Sequence, residues 1–513
     1  MTNWIKRLLL IFCSLAIFAA CSDSDGKDNG GNGGEPTPEG CDTYGYITDA
    51  SGNPIQGVVV SDGFTCTTTD AEGQYLLTRN AEAGFVFYSL PSGYKVNLHK
   101  TYKLPKFFTK LKPETARYDF TLTALSAPET RFDLIAIGDP QINEAAHAVR
   151  FKDESAKDIR AYSNSAGVPC YAITLGDHVN NKWDLFSNMV VALQPEQTGI
   201  PVFATIGNHD HEFPTANEKE ARAKYESYFG PVDYSFNRGD VHIVSMDNVI
   251  HGCQESAGYT GGFSAEQYEW LKQDLSYVSK DKMVILCVHI PFRDSNYAYN
   301  DEVLELLSQY KYATIMSAHT HSNINHIHNK NGKEIFEHIT GTTCGAWWRS
   351  TVCTEGTPIG FGIYRIDGAT MKEWTYKSSQ HDADFQIRLY RASNKFTGGG
   401  NASYYFSKKA ANQIIANIWN WDPTWTVDVY ENGVKTGSML QYSDKDAWTV
   451  AYHIGILNNS SSYNKSTDHL FYYTLSNASA SVKVEATDRF GNKYEQTVFT
   501  DPDSHPGIFH SDF

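Results

Sequence analysis

Pro201-Val202-Phe203-Ala204-Thr205-Ile206-Gly207-Asn208-His209-Asp210 joins an apolar run of strand length to an amide, an imidazole and a carboxylate in succession. The run carries no polar alternation, which reads as a strand buried on both faces. The same construction recurs four more times. Residues 132–137 lead into Asp139-Pro140-Gln141, 171–175 into Gly176-Asp177-His178, 283–288 into His289, and 312–316 into Ala318-His319-Thr320-His321. In sheets covered on both faces, ligand groups collect beyond the carboxyl ends of the strands, so five such endings aim metal-ligand side chains at one edge.

At 513 residues the chain exceeds one ordinary core, and the usual domain size suggests three units plus extra segments. The formal charge of −16, with no cluster of Lys and Arg, argues against a nucleic-acid partner. Residues 1–20 read as a lipoprotein signal peptide: Lys6 and Arg7, the apolar run 8–18, then Ala19-Ala20 before Cys21. The run is shorter than the roughly 18 apolar residues of a spanning helix. Phe18-Ala19-Ala20-Cys21 resembles a bacterial lipobox, which implies diacylation of Cys21 and membrane attachment through it. Ser22-Asp23-Ser24-Asp25 resembles the export signal of surface lipoproteins of Bacteroidetes. The expected location is outside the cytoplasm, lipid-anchored to the outer membrane and exposed at the cell surface. An exported protein can hold disulfides. Of nine Cys, seven remain after Cys13 and Cys21, and Cys41 with Cys66 and Cys344 with Cys353 are the candidate pairs.

Residues 21–40, rich in Gly, Asp, Asn and Pro, read as a flexible linker. From 41 to 126, short strands are split by Ser51-Gly52-Asn53-Pro54, Ser61-Asp62-Gly63 and Asp70-Ala71-Glu72-Gly73, the spacing of a small β-sandwich. Within it, residues 44–77 resemble the carboxypeptidase-regulatory-like modules of exported bacterial proteins, and a spacer or packing role is expected. Residues 131–377 alternate strands with helices, which defines an α/β domain. Its helices include 144–166, stopped by Gly167, and one opened by the capping box Ser264-Ala265-Glu266-Gln267. Strands return in 378–513, at 426–430, 451–457, 469–475 and 481–486, with Arg489-Phe490-Gly491-Asn492 as a hairpin turn. Ile414, Ile415 and Ile418 read as a helix, and Trp419, Trp421 and Trp425 beside it as core rather than a sugar-stacking platform.

The five clusters, in this order, resemble the calcineurin-like metallophosphoesterase family, whose pattern is D-x-H, G-D-x-x-[DN], G-N-H-[DE], a lone His after an apolar strand, and G-H-x-H. The resemblance spans about 131–377 and includes Tyr234-Ser235-Phe236; the flanking domains and Cys344-Gly345-Ala346-Trp347-Trp348 are similar to those of Bacteroidetes lipoproteins of that family. It implies a layered α/β sandwich with two central β-sheets, flanked by two small all-β sandwich domains. It also implies two divalent or mixed-valence metal ions, drawn from Mn, Fe, Zn and Mg. One would take Asp139, Gln141 and His321, the other Asn208, His289 and His319, with Asp177 bridging. His209 would be the catalytic imidazole, with Asp210 holding its tautomer.

Such a pair of cations clamps the oxygens of an in-line displacement and generates hydroxide at neutral pH. Two carboxylates against two dications leave the centre positive, so a phosphate ester is attracted despite the acidic total. Two positions depart from the family pattern. Gln141 replaces a His, and its harder amide oxygen tilts that site from Zn toward Mn, Mg or Fe. Ala318 replaces a Gly, which asks only that the backbone accept a β-carbon. The expected function is a dinuclear-metal phosphoesterase acting on phosphate mono- or diesters. The competing expectation is a surface glycan-binding lipoprotein with an inactive phosphoesterase-like core. His178, Asn180, Trp347, Trp348 and Arg349 are further candidates for lining the pocket, while a structural role is the simpler expectation for His178, His326, His328 and His338.

Overall fold

A computed structural model describes residues 37–500, apart from 295, 394, 395, 398–402, 405, 406, 409 and 458–460. The signal peptide, Cys21 and most of the linker expected from the sequence lie outside the described residues. Among the described residues, no helix is long and apolar enough to cross a membrane.

Two sheets form the centre. One has the strand order Val202–Thr205, Cys170–Leu175, Arg131–Ile137, Gly360–Asp367, Thr370–Ser378. The other runs Tyr234–Arg238, Val241–Ser245, Met283–Cys287, Tyr312–Ser317, Lys333–Ile339, Ile324–Lys330. Side chains alternate across a strand, and here both faces are apolar because both are covered. Phe132, Leu134, Ala136, Tyr171, Ile173 and Leu175 join one core with residues of the second sheet. Their neighbours Ile135, Ile137, Cys170 and Ala172 join another core with helical residues such as Phe151, Ile159, Phe186 and Met189. The strands that carry the site are thereby fixed on two sides. The long helix expected at 144–166 is present as Ala145–Phe151 and Lys157–Ser165 joined through a π-helical turn, Lys152–Ala156. Ser264 caps Ala265–Ser276 reciprocally with Gln267.

Residues 43–122 form a three-stranded and a four-stranded sheet. This part packs into the central core: Phe107 meets Phe203 and Tyr234 with ring centroids 6.2 and 4.7 Å apart. The buried Arg238 donates to Glu129 Oε1 and to the carbonyls of Ser92 and Tyr94.

The C-terminal part is a sandwich of two four-stranded sheets, and it corrects two expectations. Gln413–Asn417 is a strand, not a helix. Ile414 and Ala416 face one core and Ile415 another, so a strand buried on both faces has no gap in its apolar run to betray its period. Residues 450–456 are π-helical rather than extended, continuing Ala447–Thr449, whose first turn is capped by the Asp446 carboxylate. Trp419 and Trp425 are buried, as expected of core, whereas Trp421 is half-buried. The expected disulfides are absent, since Cys41, Cys66, Cys344 and Cys353 are all free. Cys66 faces the apolar core while Cys41 Sγ turns to Pro38 O, and Cys344 and Cys353 each settle 3.6 Å from Thr342 Oγ1.

Candidate metal centre

The seven residues expected as ligands are brought together, but from two sheets rather than one. Asp139, Gln141, Asp177 and Asn208 follow strands of the five-stranded sheet, and His289, His319 and His321 follow strands of the six-stranded one. Contacts link them all. Gln141 Nε2 lies 3.3 Å from Asp177 Oδ2, and Asp177 Oδ1 lies 3.4 Å from His289 Nε2. His289 Nε2 is 2.9 Å from Asn208 Oδ1 and 3.1 Å from His319 Nδ1. Asp139 Oδ2 accepts from the His319 amide at 3.1 Å, and its Oδ1 is 3.8 Å from His321 Nε2. Asp177, His289 and His319 place one ligand atom each within 4.8 Å of the others.

The donor set fits a cation. His289 Nδ1 donates to Leu175 O at 2.7 Å, which fixes the ring and leaves Nε2 facing Asn208 Oδ1, His319 Nδ1 and Asp177 Oδ1. Lone pairs so close repel unless a proton or a cation lies among them. Asp139 Oδ1 and Gln141 Oε1 are buried and have no hydrogen-bond partner, so both retain an acceptor to offer. Charge tells the same story. Burial, with Asp177 nearby, raises the Asp139 carboxyl well above its ordinary value. Burial would raise Asp177 as well, but His289 and His209 outweigh it and hold that carboxyl down. His289 is pushed up to about 9, the carboxylate of Asp177 prevailing over burial, while burial lowers His319 to about 3 and His321 to about 4. Buried acids crowded against the neutral imidazoles of His319 and His321 are relieved by a bound dication.

Backbone strain concentrates on these same loops. Asp139 and Gln141 have φ of 37°, Asp177 52°, His319 66° and His321 54°, left-handed values that cost free energy in residues with a Cβ. Two glycines make the close approach feasible. A Cβ on Gly176 would sit 2.4 Å from His289 Nδ1, and one on Gly207 would sit 2.3 Å from Asp177 Oδ1.

His209 is half-buried beside the cluster, its amide donating to Asp177 Oδ1 at 2.8 Å. Its ring is not held by Asp210, which corrects the expected role of that residue. His209 Nδ1 pairs instead with Asn181 Oδ1 at 2.9 Å. The Asp210 carboxylate is fully buried and accepts from His178 Nδ1 and from the amides of His178, Val179 and Gly207. Adjacent residues on a tight turn point apart, so Asp210 ties the 176–179 and 207–210 loops together from beneath. His178 is structural, its Nε2 paired with Thr174 Oγ1. Asn181 was not singled out from the sequence; its one signal was its place in the Asn180-Asn181 pair after the 176–178 cluster.

A cleft of about 320 Å³ adjoins the cluster, lined by Gln141, Asn143, Asn180, Trp347, Arg349 and Tyr463. Trp347 stacks on His321 at 4.6 Å, and Tyr463 meets it edge-on at 5.1 Å. Trp348 is buried and donates from Nε1 to Pro140 O, bracing the Asp139–Gln141 turn rather than lining the cleft.

The chain belongs to the calcineurin-like phosphoesterase family: residues 42–125 match the model of its N-terminal region, 133–323 that of the phosphoesterase itself, and 337–494 that of its C-terminal region. Purple acid phosphatase 18 of Arabidopsis thaliana is 28% identical over 148 residues, 27% of this chain and 31% of that protein. Purple acid phosphatase 23 of the same plant is 27% identical over 188 residues, 32% of this chain and 38% of its own. The chain thus spans about a third of the length of the curated relatives it matches. Among solved structures, a purple acid phosphatase from yellow lupin (Lupinus luteus) seeds aligns with a TM-score of 0.37 at 15% identity, covering 49% of this chain and 52% of that one.

Proposed function

We propose that this protein is a metal-dependent hydrolase of phosphate mono- or diesters. The observation that carries the reading is the convergence of seven ligand-type side chains, with Asp139 Oδ1 and Gln141 Oε1 buried and unbonded among them. Asp139, Gln141 and His321 would hold one cation, Asn208, His289 and His319 a second, and Asp177 would lie between. When bound, the cations supply Lewis acidity toward the phosphoryl group and an activated water. The chain's own residues do the rest. His209, with Nδ1–H donating to Asn181 Oδ1, has Nε2 as its working nitrogen, which as the imidazolium would give its proton to the leaving oxygen or stabilise charge on it. Trp347, Tyr463 and Arg349 bound the cleft where the ester's organic part would rest. The amide oxygen of Gln141 favours Mn, Mg or Fe over Zn at its site.

The three-part division at 41–126, 131–377 and 378–513 and a lipid anchor at Cys21 belong to the same proposal. Labelling with a radioactive fatty acid, lost in Cys21→Ser, tests the anchor. For the activity, the purified protein supplemented with Mn, Fe or Zn is assayed for bound metal and for hydrolysis of an aryl phosphate and a bis-aryl phosphate. Metal retained together with turnover of either ester is expected. No metal bound after supplementation would end the reading.

A further inference from the structure

A second cavity, of about 610 Å³, opens next to Ser322 and Asn323, the residues that follow His321. None of the proposed metal ligands lines it. Its walls come from the 322–326 segment on one side and from Trp421, Gln441, Thr467 and His469 of the C-terminal sandwich on the other. Two buried lining groups have an atom without a partner. Glu355 is 1% exposed; its Oε1 accepts from the Asn323 amide at 2.8 Å, and its Oε2 is unbonded. His469 is 5% exposed, and its Nε2 is unbonded.

The neighbouring hydrogen bonds say what these atoms want. Asn417 Nδ2 donates to Asp446 Oδ2 at 2.8 Å, so its Oδ1 accepts from His469 Nδ1 at 2.6 Å. His469 Nε2 is then an acceptor in the neutral ring, and in the charged ring its N–H faces the carboxylate of Glu355, whose Oε1 is 3.6 Å away. The amides follow suit. Asn325 Nδ2 donates to Asn420 O at 2.8 Å and Gln441 Nε2 to Asp468 O at 2.6 Å, so oxygen is the end each can offer. The cavity presents acceptors and calls for a ligand rich in donors. Trp421, half-buried and packed edge-on against Phe471 at 5.5 Å, adds a flat apolar wall.

We propose that this cavity binds a neutral saccharide, whose hydroxyls donate to Glu355 Oε2 and pair with His469 Nε2 while a ring face rests on Trp421. A bare Ca²⁺ would ask for six to eight oxygens, against a single buried carboxylate here. The wall holds one cation, Arg293, and two carboxylates, Glu355 and Asp468, too few to pair the several ammonium groups of a polyamine. Hydroxyl groups, by contrast, donate and accept at once, as the lining Ser322, Ser443, Ser466 and Thr467 require.

The test is calorimetric titration of the whole protein with cellobiose, maltose and mannobiose, repeated after chelation of metal and on Trp421→Ala and Glu355→Gln. Binding of at least one disaccharide is expected, weakened about tenfold or more by each substitution and unchanged by chelation. Glu355→Gln keeps an oxygen for the Asn323 amide, so it reports on the ligand even if Trp421→Ala does not fold. No binding at millimolar concentrations, binding indifferent to Glu355→Gln, or binding of spermidine in place of the sugars would overturn the proposal. Because chelation leaves this cavity intact, its failure and that of the phosphoesterase reading are separately visible.

Discussion

Substituting Gly207 by Ala adds one methyl group and asks whether the two central loops need their spacing. Gly207 has φ −122° and ψ 175°, an extended conformation any residue adopts, so the backbone itself raises no objection. The new Cβ would lie 2.3 Å from both the amide nitrogen and Oδ1 of Asp177. Ordinary contact starts at 3.4 Å, so the loops must separate by about 1 Å. Asp177 cannot yield without cost, because the same oxygen accepts from the His209 amide at 2.8 Å and approaches His289 at 3.4 Å. A misplacement of about 1 Å at a reacting centre costs on the order of 100-fold in rate, equivalent to about 2.7 kcal/mol. Overpacking takes about 1–3 kcal/mol from stability, less than the usual total, so the variant is expected to fold. The assay is kcat toward an aryl phosphate, with metal content by mass spectrometry and Tm by calorimetry. Gly93→Ala, where a Cβ would meet nothing within 4 Å, is the control. A Gly207→Ala protein with full metal and near wild-type kcat would show that the loops do not need this approach, and the geometric reasoning would fail.

Asn181→Ala is expected to lower kcat about tenfold by releasing the His209 ring, with metal content unchanged. Asp210→Asn should instead lower stability, by about 1–3 kcal/mol in a denaturant titration, through its lost bonds to His178; an Asp210→Asn loss of kcat at undiminished stability would return that residue to the catalytic role. Gln141→His is expected to slow metal loss during dialysis against a chelator, and unchanged or faster loss would count against Gln141 as a ligand. Asp233 is held at about 7 by burial and by Asp247. Between its ordinary 3.8 and about 7, the folded chain keeps a proton that the unfolded chain has released, so stability falls as pH rises through that window. Asp233→Asn should therefore show no Tm advantage near pH 4 and a growing one toward pH 8; an advantage independent of pH would refute the assignment.

The parts of the site legible in the sequence were those whose chemistry and position travel together. An apolar strand ending in Asp, Asn or His declares both a buried element and a ligand-type side chain at its end, and the seven side chains so marked do converge. Gly176 and Gly207 were visible as letters, but their reason, a close approach of two loops, was not. Elements with no ligand-type cluster at a strand end to mark them were less legible. Ile414, Ile415 and Ile418 read as helix because positions i, i+1 and i+4 share a helix face, and so short a run does not distinguish a period of 3.6 from 2. Residues 451–457 read as strand because the signal that mattered was local, a capping Asp446 just upstream.

The sequence by itself determined which ligand-type side chains would gather and which strands would present them, because residue type and strand-end position are properties of the chain read locally. The tertiary structure alone decided which imidazole each carboxylate serves, giving Asp210 to His178 and Asn181 to His209. It also decided that the second sheet supplies three of the seven ligand-type side chains and that the C-terminal part walls both cavities. Those pairings depend on the direction in which neighbouring loops turn once two sheets have packed, and that direction is set by contacts between residues far apart in the chain.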